Sequence, residues 1–188
     1  ALDIGAMTVF LYCWREREMI LDLNEEISGV RMMTSYIRLG GVAQDATPGW
    51  LNSVRKFVEY FPGKIDEYER LLTNNPIWID RTKDIGVMSR DEAINWSMSG
   101  PVLRASGVNW DLRKQRPYSG YDNFDFEVPV EKNGDIYDRY LVRVAEMRQS
   151  LEIVKQALQK LPTGPYKIDD NKISLPNRDT LKSSMEAL

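Results

Sequence analysis

The sequence predicts a mainly α-helical protein with a few short strands, in the α+β class. Two long segments place apolar side chains at helical spacing, one within residues 1–28 and the other within residues 135–161. One segment, residues 124–130, alternates apolar and acidic side chains with the period of a half-buried strand. Because the helical segments are much longer than the alternating one, we expect helices to form the core.

The first helix is expected over residues 2–27. Residues 4–14 carry no charge and have apolar side chains on every side, so we expect this part to be buried all round, with Cys13 as an inert core thiol. The run is too short to cross a bilayer. Further along, the apolar stripe of the helix encloses Glu16. Ser28 and Gly29 are predicted to end the helix, since glycine commonly follows a helix end.

Prolines and glycines divide the middle of the chain. Thr47-Pro48 is typical of a helix start, and Pro62-Gly63 predicts an interruption, so we expect two helices joined by a kink or corner. The sequence Asn74-Asn75-Pro76 should end the second of them. Ser89 and Glu92 have the spacing of a capping box and predict a further short helix.

Residues 97–117 are rich in glycine and proline and are expected to be mainly loop. They contain arginine and lysine side chains close to Trp110, Tyr118 and Tyr121. Such a mixture suits a single-stranded nucleic-acid surface or cation–aromatic packing in a loop that docks on a partner. The net charge of −3 favours packing and argues against nucleic acid.

The longest helix is expected over residues 135–161. Its apolar residues alternate steps of four and three, which predicts a seam packed against the helix of residues 2–27. The seam residues are Tyr140, Val144, Met147, Leu151, Val154, Leu158 and Leu161. We interpret them as bundle core and not as a cofactor pocket. Asp135 with Arg139, and Arg143 with Glu146, are expected to form surface ion pairs. A short strand is expected at residues 166–168.

The composition excludes several kinds of active site. The chain of 188 residues has one cysteine and no histidine. It therefore lacks an internal disulfide, a multi-cysteine metal site and an imidazole for acid–base chemistry, and we expect it to bind no metal. The adjacent carboxylates Glu25-Glu26 and Asp169-Asp170 are interpreted as solvated charge. Taken alone, these observations define no catalytic centre.

Long strings of the sequence resemble one family. They are ALDIGAMT, REREMILDL, SGVRM, SYIRLGGVAQD, IDEYERLLTNNPIW, LRASGVNWDLRK, PYSGYDNFDFEVPV and GDIYDRYLVRVAEMRQS. Together they resemble the 49-kDa quinone-site subunit of respiratory complex I, which is the D subunit of bacterial NADH-quinone oxidoreductase. The resemblance covers the middle of the family's chain, so we expect residues 1–188 to be a single domain truncated at both ends. It also implies a helical-bundle core related to the large subunit of nickel-iron hydrogenases.

The resemblance implies an enzyme subunit in the respiratory electron-transport chain. In a proton-pumping NADH-quinone oxidoreductase, this subunit would form part of the quinone-reduction cavity beside the terminal 4Fe-4S cluster. That cluster belongs to a small iron–sulfur partner subunit, quinone is the substrate, and this chain is expected to hold no cofactor. The implied location is the peripheral arm, on the cytoplasmic side of a bacterial inner membrane or the mitochondrial matrix side. The alternative is a non-catalytic helical scaffold that docks neighbouring subunits.

The resemblance also implies two site residues. Asp3, in the family's Ala-Leu-Asp string, would be the catalytic proton-relay residue, partner to a histidine that precedes residue 1 in the family. Met33 occupies the cluster-proximal position where the family has a histidine after Arg-Met, so the titratable group is replaced by a thioether. Leu39 replaces a proline of the family. No nickel–iron site is expected, since the paired cysteine ligands of the hydrogenases are missing, and the isolated chain is expected to be inactive.

Overall fold

The computed structural model describes residues 1–185, and their fold is mainly helical, as predicted. The described chain folds as two compact units. The first comprises Ala1–Cys13 and Phe57–Lys160, and the second comprises Trp14–Lys56 and the described residues from Leu161 onward. The α-helices are α1 Met7–Ser28, α2 Pro48–Leu72, α3 Pro76–Thr82, α4 Arg90–Asn95, α5 Gly100–Ala105, α6 Leu112–Gln115, α7 Ile136–Lys160 and α8 Arg178–Ser183. Short 3-10 turns lie at Leu2–Ile4 and Tyr121–Asn123, and the strands are β1 Ile37–Arg38 and β2 Gly41–Val42.

The beginning of the chain differs from the predicted helix. Residues Leu2–Ile4 form a 3-10 turn, and Gly5 ends it in the left-handed conformation with φ 87°, so α1 starts only at Met7. Glycine adopts this conformation without the steric cost that a Cβ atom adds. The predicted stop at the other end is confirmed, since α1 ends at Ser28 and Gly29 has φ 76°.

The expectation that residues 4–14 are buried all round is wrong. Val9 is buried in a core cluster with Leu72 and Trp78, whereas Met7, Leu11 and also Cys13 are exposed. An uncharged helix segment can be buried on every side, but only where other elements pack against each of its faces. The composition of the segment does not determine whether they do.

Helix α2 is continuous where two helices were predicted. Pro62 lies inside it, although a proline removes one backbone hydrogen bond and costs a helix interior about 3 kcal/mol. Val58 and Ile65, one turn to either side, are both buried, and their burial offsets that cost. The predicted start is confirmed, because the Trp50 amide donates to the Thr47 hydroxyl at 3.2 Å.

Local signals at the short helices are confirmed. The Asn75 side chain caps α3, with Pro76 at its first position. At α4 the Glu92 amide donates to the Ser89 hydroxyl, while the Glu92 carboxylate accepts from the Ser89 amide at 2.9 Å, which completes the capping box.

Helix α7 organises the first unit and packs against α5 and α3. Val142, Val144 and Leu151 are buried along it, and Tyr140 packs against the cluster that contains Val9. Of the predicted seam residues, only Val144 and Leu151 are buried, and Tyr140, Met147 and Leu158 are half-buried. Val154 and the residue after the helix, Leu161, are exposed.

Residues 124–130 are extended but are not part of a sheet, so the predicted strand is wrong. The alternation itself is confirmed, since Phe126 is buried while Asp125 and Glu127 are exposed. Two glutamines of α7 replace a neighbouring strand: Gln156 accepts from the Asp125 amide at 2.8 Å and Gln149 from the Glu127 amide at 2.9 Å. A period of two reports an extended chain with two environments and does not identify the hydrogen-bond partner.

The second unit contains the only strand pair among residues 1–185. Strands β1 and β2 form an antiparallel hairpin in which Ile37 pairs with Val42. Gly40 and Gly41 have φ 84° and 147°, and a Cβ atom on Gly41 would lie 2.3 Å from the Tyr166 carbonyl oxygen. The predicted turn or close approach at the two glycines is thus confirmed on both counts. Instead of the strand expected at 166–168, an isolated bridge joins Gly41 to Lys167.

None of the helices in residues 1–185 combines the length and apolar character needed to span a lipid bilayer.

Candidate functional site

Asp3 lies in the 3-10 turn at the start of the first unit. Its side chain is exposed and has no hydrogen bond or ion pair with any residue in the described part of the chain. The turn itself is held by backbone bonds, in which the Ala6 amide donates to the Ala1 carbonyl at 2.9 Å and the Gly5 amide donates to the Leu2 carbonyl at 3.0 Å. Asp3 therefore sits on an ordered turn with its carboxylate open to a group outside residues 1–185.

A small apolar cavity adjoins this turn. It has a volume of about 130 Å³, and its walls include Ile4, Ala6, Leu72 and Trp78. The Trp78 indole N–H is buried and donates to no atom in the described chain. A buried donor without an acceptor is costly, because it has lost its water without gaining a replacement.

Two tyrosines and a threonine form a hydrogen-bonded group beside Trp78. The Tyr137 hydroxyl donates to the Thr73 carbonyl at 2.8 Å, and the Tyr140 and Thr73 hydroxyls lie 2.9 Å apart. The Tyr140 ring meets the Trp78 ring edge to face, with centroids 5.2 Å apart. Burial is the main cause that raises the pKa of Tyr140, so this phenol holds its proton. The sequence pattern identifies Tyr140 only as a seam residue, because its hydrogen-bond partner Thr73 is 67 residues away.

Met33 belongs to the second unit, and Asp3 to the first. Met33 is 90% exposed, and its backbone is left-handed with φ 56°. That conformation is uncommon for a residue with a Cβ atom and marks a sharp turn after Arg31 and Met32. Nearby, the Arg17 guanidinium donates to the Met32 sulfur at 3.7 Å.

Charged residues in the first unit form a buried network, and one of them, Glu146, has a partner other than the predicted one. Arg104 is buried, pairs with Glu146 and donates to the Trp110 carbonyl at 3.0 Å. Arg113 donates to Asp111, and this hydrogen bond is the main cause that lowers the pKa of Asp111. The predicted surface pair of Arg143 with Glu146 is wrong, because Glu146 binds Arg104 instead.

The predicted surface pair of Asp135 with Arg139 is also wrong. Asp135 is fully buried and accepts from the Asp138 amide at 2.7 Å and from the Asp84 amide at 2.8 Å. Arg139 instead donates to the carbonyl oxygens of Gly86 and Gly134. These contacts shape the start of α7.

Metal-ligating residues are not gathered anywhere in the described chain. Among residues 1–185, no three aspartate, glutamate or cysteine side chains lie close enough together to hold a metal ion.

Comparison with known proteins assigns the chain to a family. The model of the 49 Kd subunit of the respiratory-chain NADH dehydrogenase matches residues 3–188. The chain belongs to this family. It is 54% identical to a D subunit of NADH-quinone oxidoreductase from Solibacter usitatus over 188 residues, 100% of the chain and 46% of the relative. It is 52% identical to the D subunit of NADH-quinone oxidoreductase from Ehrlichia chaffeensis, again over its whole length and 48% of the relative.

The chain therefore spans just under half the length of these curated relatives. The resemblance drawn from the sequence strings is confirmed at the level of the family. The matched range includes both Asp3 and Met33.

Proposed function

We propose that the protein is part of a proton-pumping NADH-quinone oxidoreductase and forms part of its quinone-reduction cavity. The observation that carries this proposal is the family match over residues 3–188. In this proposal, the partner of the chain is a small iron–sulfur subunit that bears the terminal 4Fe-4S cluster. The chain lies in the peripheral arm of the complex, facing the bacterial cytoplasm or the mitochondrial matrix. The proposal also treats residues 1–188 as a single domain whose core is related to the nickel-iron hydrogenase large subunit.

Asp3 is the proton-relay residue in this proposal. Quinone reduction takes two electrons and two protons, and positioned proton donors speed such steps by about a hundredfold or more. Support comes from the ordered turn and from the absence of an internal partner for Asp3 in the described chain. Its charge is free to orient and recharge a donor outside residues 1–185, such as the histidine implied by the family.

A scaffold role is the second candidate, and a specific observation favours it. Met7 and Leu11 of α1 are each more than half exposed. Exposed apolar residues on one helix favour contact with another protein surface. In this role the chain docks neighbouring subunits while its own side chains take no part in proton transfer.

Replacing Asp3 separates the two roles. Asp3→Asn keeps the shape and removes the charge, so NADH-quinone turnover in the assembled complex should fall about a hundredfold. Cluster reduction by NADH and the amount of assembled complex should be unchanged. Asp122→Asn is a matched control, since Asp122 is exposed and likewise unpartnered within the described chain. Normal turnover of Asp3→Asn leaves the scaffold role as the better account.

Met33 gives an independent test. A thioether does not titrate near neutral pH, whereas an imidazole beside a cluster couples electron and proton uptake. We expect the midpoint potential of the terminal cluster to vary little with pH, and Met33→His to introduce a dependence. The measurement is a redox titration of the whole complex between pH 6 and 8. A slope of about 60 mV per pH unit in the unmodified complex contradicts the assignment of Met33 to the cluster-proximal position.

A further inference from the structure

A cavity of about 490 Å³ lies within the second unit, and neither Asp3 nor Met33 lines it. Its walls come from the β1–β2 hairpin and from the segment that leads into α8. Three cationic side chains line it, those of Arg38, Lys167 and Arg178, and apolar surface is supplied by Leu39, Val42, Leu175 and Leu181. Its volume is in the range of sites for small molecules, roughly 300–1,000 Å³.

The charge of this cavity has one sign. Among the described residues, no aspartate or glutamate lines it. Arg38 uses its Nε to donate to the Ser35 carbonyl at 3.0 Å, and Lys167 donates to the Leu175 carbonyl at 3.2 Å. Arg178 has no hydrogen bond or ion pair with any residue of the described range. The two guanidinium groups therefore keep terminal N–H donors available, in the planar arrangement that matches phosphate oxygens.

Ser174 supplies a second observation that does not depend on the cations. It lines the cavity and is only 3% exposed. Its hydroxyl has no hydrogen-bond partner in the described chain. Serine hydroxyls in protein interiors are almost always paired. A rotation of the side chain lets the hydroxyl donate to an acceptor held in the cavity.

Close packing holds Ser174 in this position. A Cβ atom on Gly40 would lie 3.2 Å from the Ser174 Cβ and 2.5 Å from Ile168. The Ser174 amide donates to the Asp170 carbonyl at 2.8 Å. The hairpin and the segment before α8 thus fix the backbone and Cβ atom of Ser174 beside the cationic walls, while its hydroxyl can rotate.

We propose that this cavity binds a phosphate ester that carries a small apolar group. Arg38, Lys167 and Arg178 bind the phosphate oxygens, Ser174 donates a further hydrogen bond, and the apolar group lies against Leu39 and the other apolar walls. The phosphate ester is either a soluble metabolite or the headgroup of a phospholipid. The site is separate from the proposed quinone chemistry and does not depend on it.

Protection of Lys167 from chemical modification tests the proposal on the protein purified in its native assembly. An amine-reactive acetylating reagent is applied with phenyl phosphate, with dihexanoyl phosphatidylglycerol, or with potassium chloride at equal ionic strength. Mass spectrometry reports the acetylation rate of Lys167 and of Lys56, an exposed lysine of the same unit. At a phosphate-ester concentration about ten times Kd, the rate at Lys167 should fall about tenfold. The rate at Lys56 should not change.

Variants assign the protection to the cavity. Arg38→Gln and Ser174→Ala should each weaken protection by phenyl phosphate, while Arg55→Gln, which changes an exposed arginine of the same unit, should leave it intact. Protection by phenyl phosphate alone supports a soluble ester, and stronger protection by the lipid supports a headgroup. The proposal is overturned if Lys167 is unreactive without any ligand, if neither ester protects it, or if potassium chloride protects it equally.

Discussion

Two sets of charged residues, one in each unit of the chain, are held in different surroundings. In the first unit, Arg104, Asp111, Asp135 and Asp138 are buried, and each is held by hydrogen bonds to or from other groups of that unit. In the second unit, Glu16 is also buried and accepts from Arg15 at 2.6 Å, but Arg31 is exposed and pairs on the surface with Glu18 and with Asp22, the latter at 2.8 Å.

This difference has energetic consequences. A buried ion that loses its partner leaves an uncompensated charge out of water, whereas an exposed ion is solvated again when its pair is broken. The buried charges of the first unit should therefore hold one arrangement of helices. The surface pairs of the second unit should contribute little to stability.

Removing the central arginine of each set gives the largest expected contrast. Arg104→Ala leaves Glu146 unpaired, and we expect the free energy of unfolding to fall by about 3–5 kcal/mol. Arg31→Ala should leave the free energy of unfolding almost unchanged, since its pairs are exposed. Urea unfolding of the two variants, followed by circular dichroism, measures both values. Equal losses would show that burial does not separate the two networks.

Removing one carboxylate from each unit gives an intermediate effect. Asp135→Ala removes the buried carboxylate that accepts from the amides of Asp138 and Asp84, and we expect a loss of about 2–4 kcal/mol. Asp45 lies on the surface, where its carboxylate accepts a hydrogen bond from the Ala46 amide at 2.8 Å. Asp45→Ala should therefore lower the free energy of unfolding by less than about 0.5 kcal/mol. Thermal unfolding of both variants provides the measurement. A loss for Asp45→Ala as large as that for Asp135→Ala would contradict the role of burial.

Protonation gives the smallest effect and tests the environment of one carboxylate. Partial burial, assisted by the charge of Asp138, raises the pKa of Glu131. A raised pKa in the folded state stabilises the fold at low pH, and this stabilisation is lost as pH rises through the folded pKa. Glu131→Gln should therefore be slightly more stable than the unmodified chain at pH 7, with no advantage below about pH 4.

Asp111 provides the opposite sign within the same experiment. Its pKa is lowered, mainly by the hydrogen bond from Arg113, so its stabilising effect is present at neutral pH and is lost as pH falls through the folded pKa. Urea unfolding of the unmodified chain, Glu131→Gln and Asp111→Asn between pH 3 and 8 separates the two. A Glu131→Gln variant that is less stable at pH 7 would show that the charged carboxylate is favoured there.

Asp3 and Met33 illustrate what sequence reasoning contributes to the candidate site. Both were selected because strings around them resemble a family, and the family is confirmed over the range that contains them. Their surroundings did not follow from the strings. The break at Gly5 that puts Asp3 on a separate turn and the left-handed backbone of Met33 are visible only in the structure. The same is true of the cavity that joins Ser174 to Arg38, because its walls are far apart in the chain.

The beginnings and ends of several helices can be predicted from local sequence alone. Thr47, Asn75 and Ser89 cap helices, and Gly29 follows the end of α1. Each of these signals acts within about four residues, through a side chain that satisfies a free amide or a glycine that permits a left-handed backbone. Such interactions form in any environment, so they are readable without the rest of the fold.

Which helix faces are buried and which charges are paired depends on elements that are distant in the chain. Asp135 binds the amide of Asp84, 51 residues away, and Arg104 binds Glu146, 42 residues away. The same helix that supplies Glu146 also supplies the glutamines that accept from the amides of Asp125 and Glu127. A side chain's partner and burial depend on which distant elements pack against it, and the local pattern carries no information about that choice.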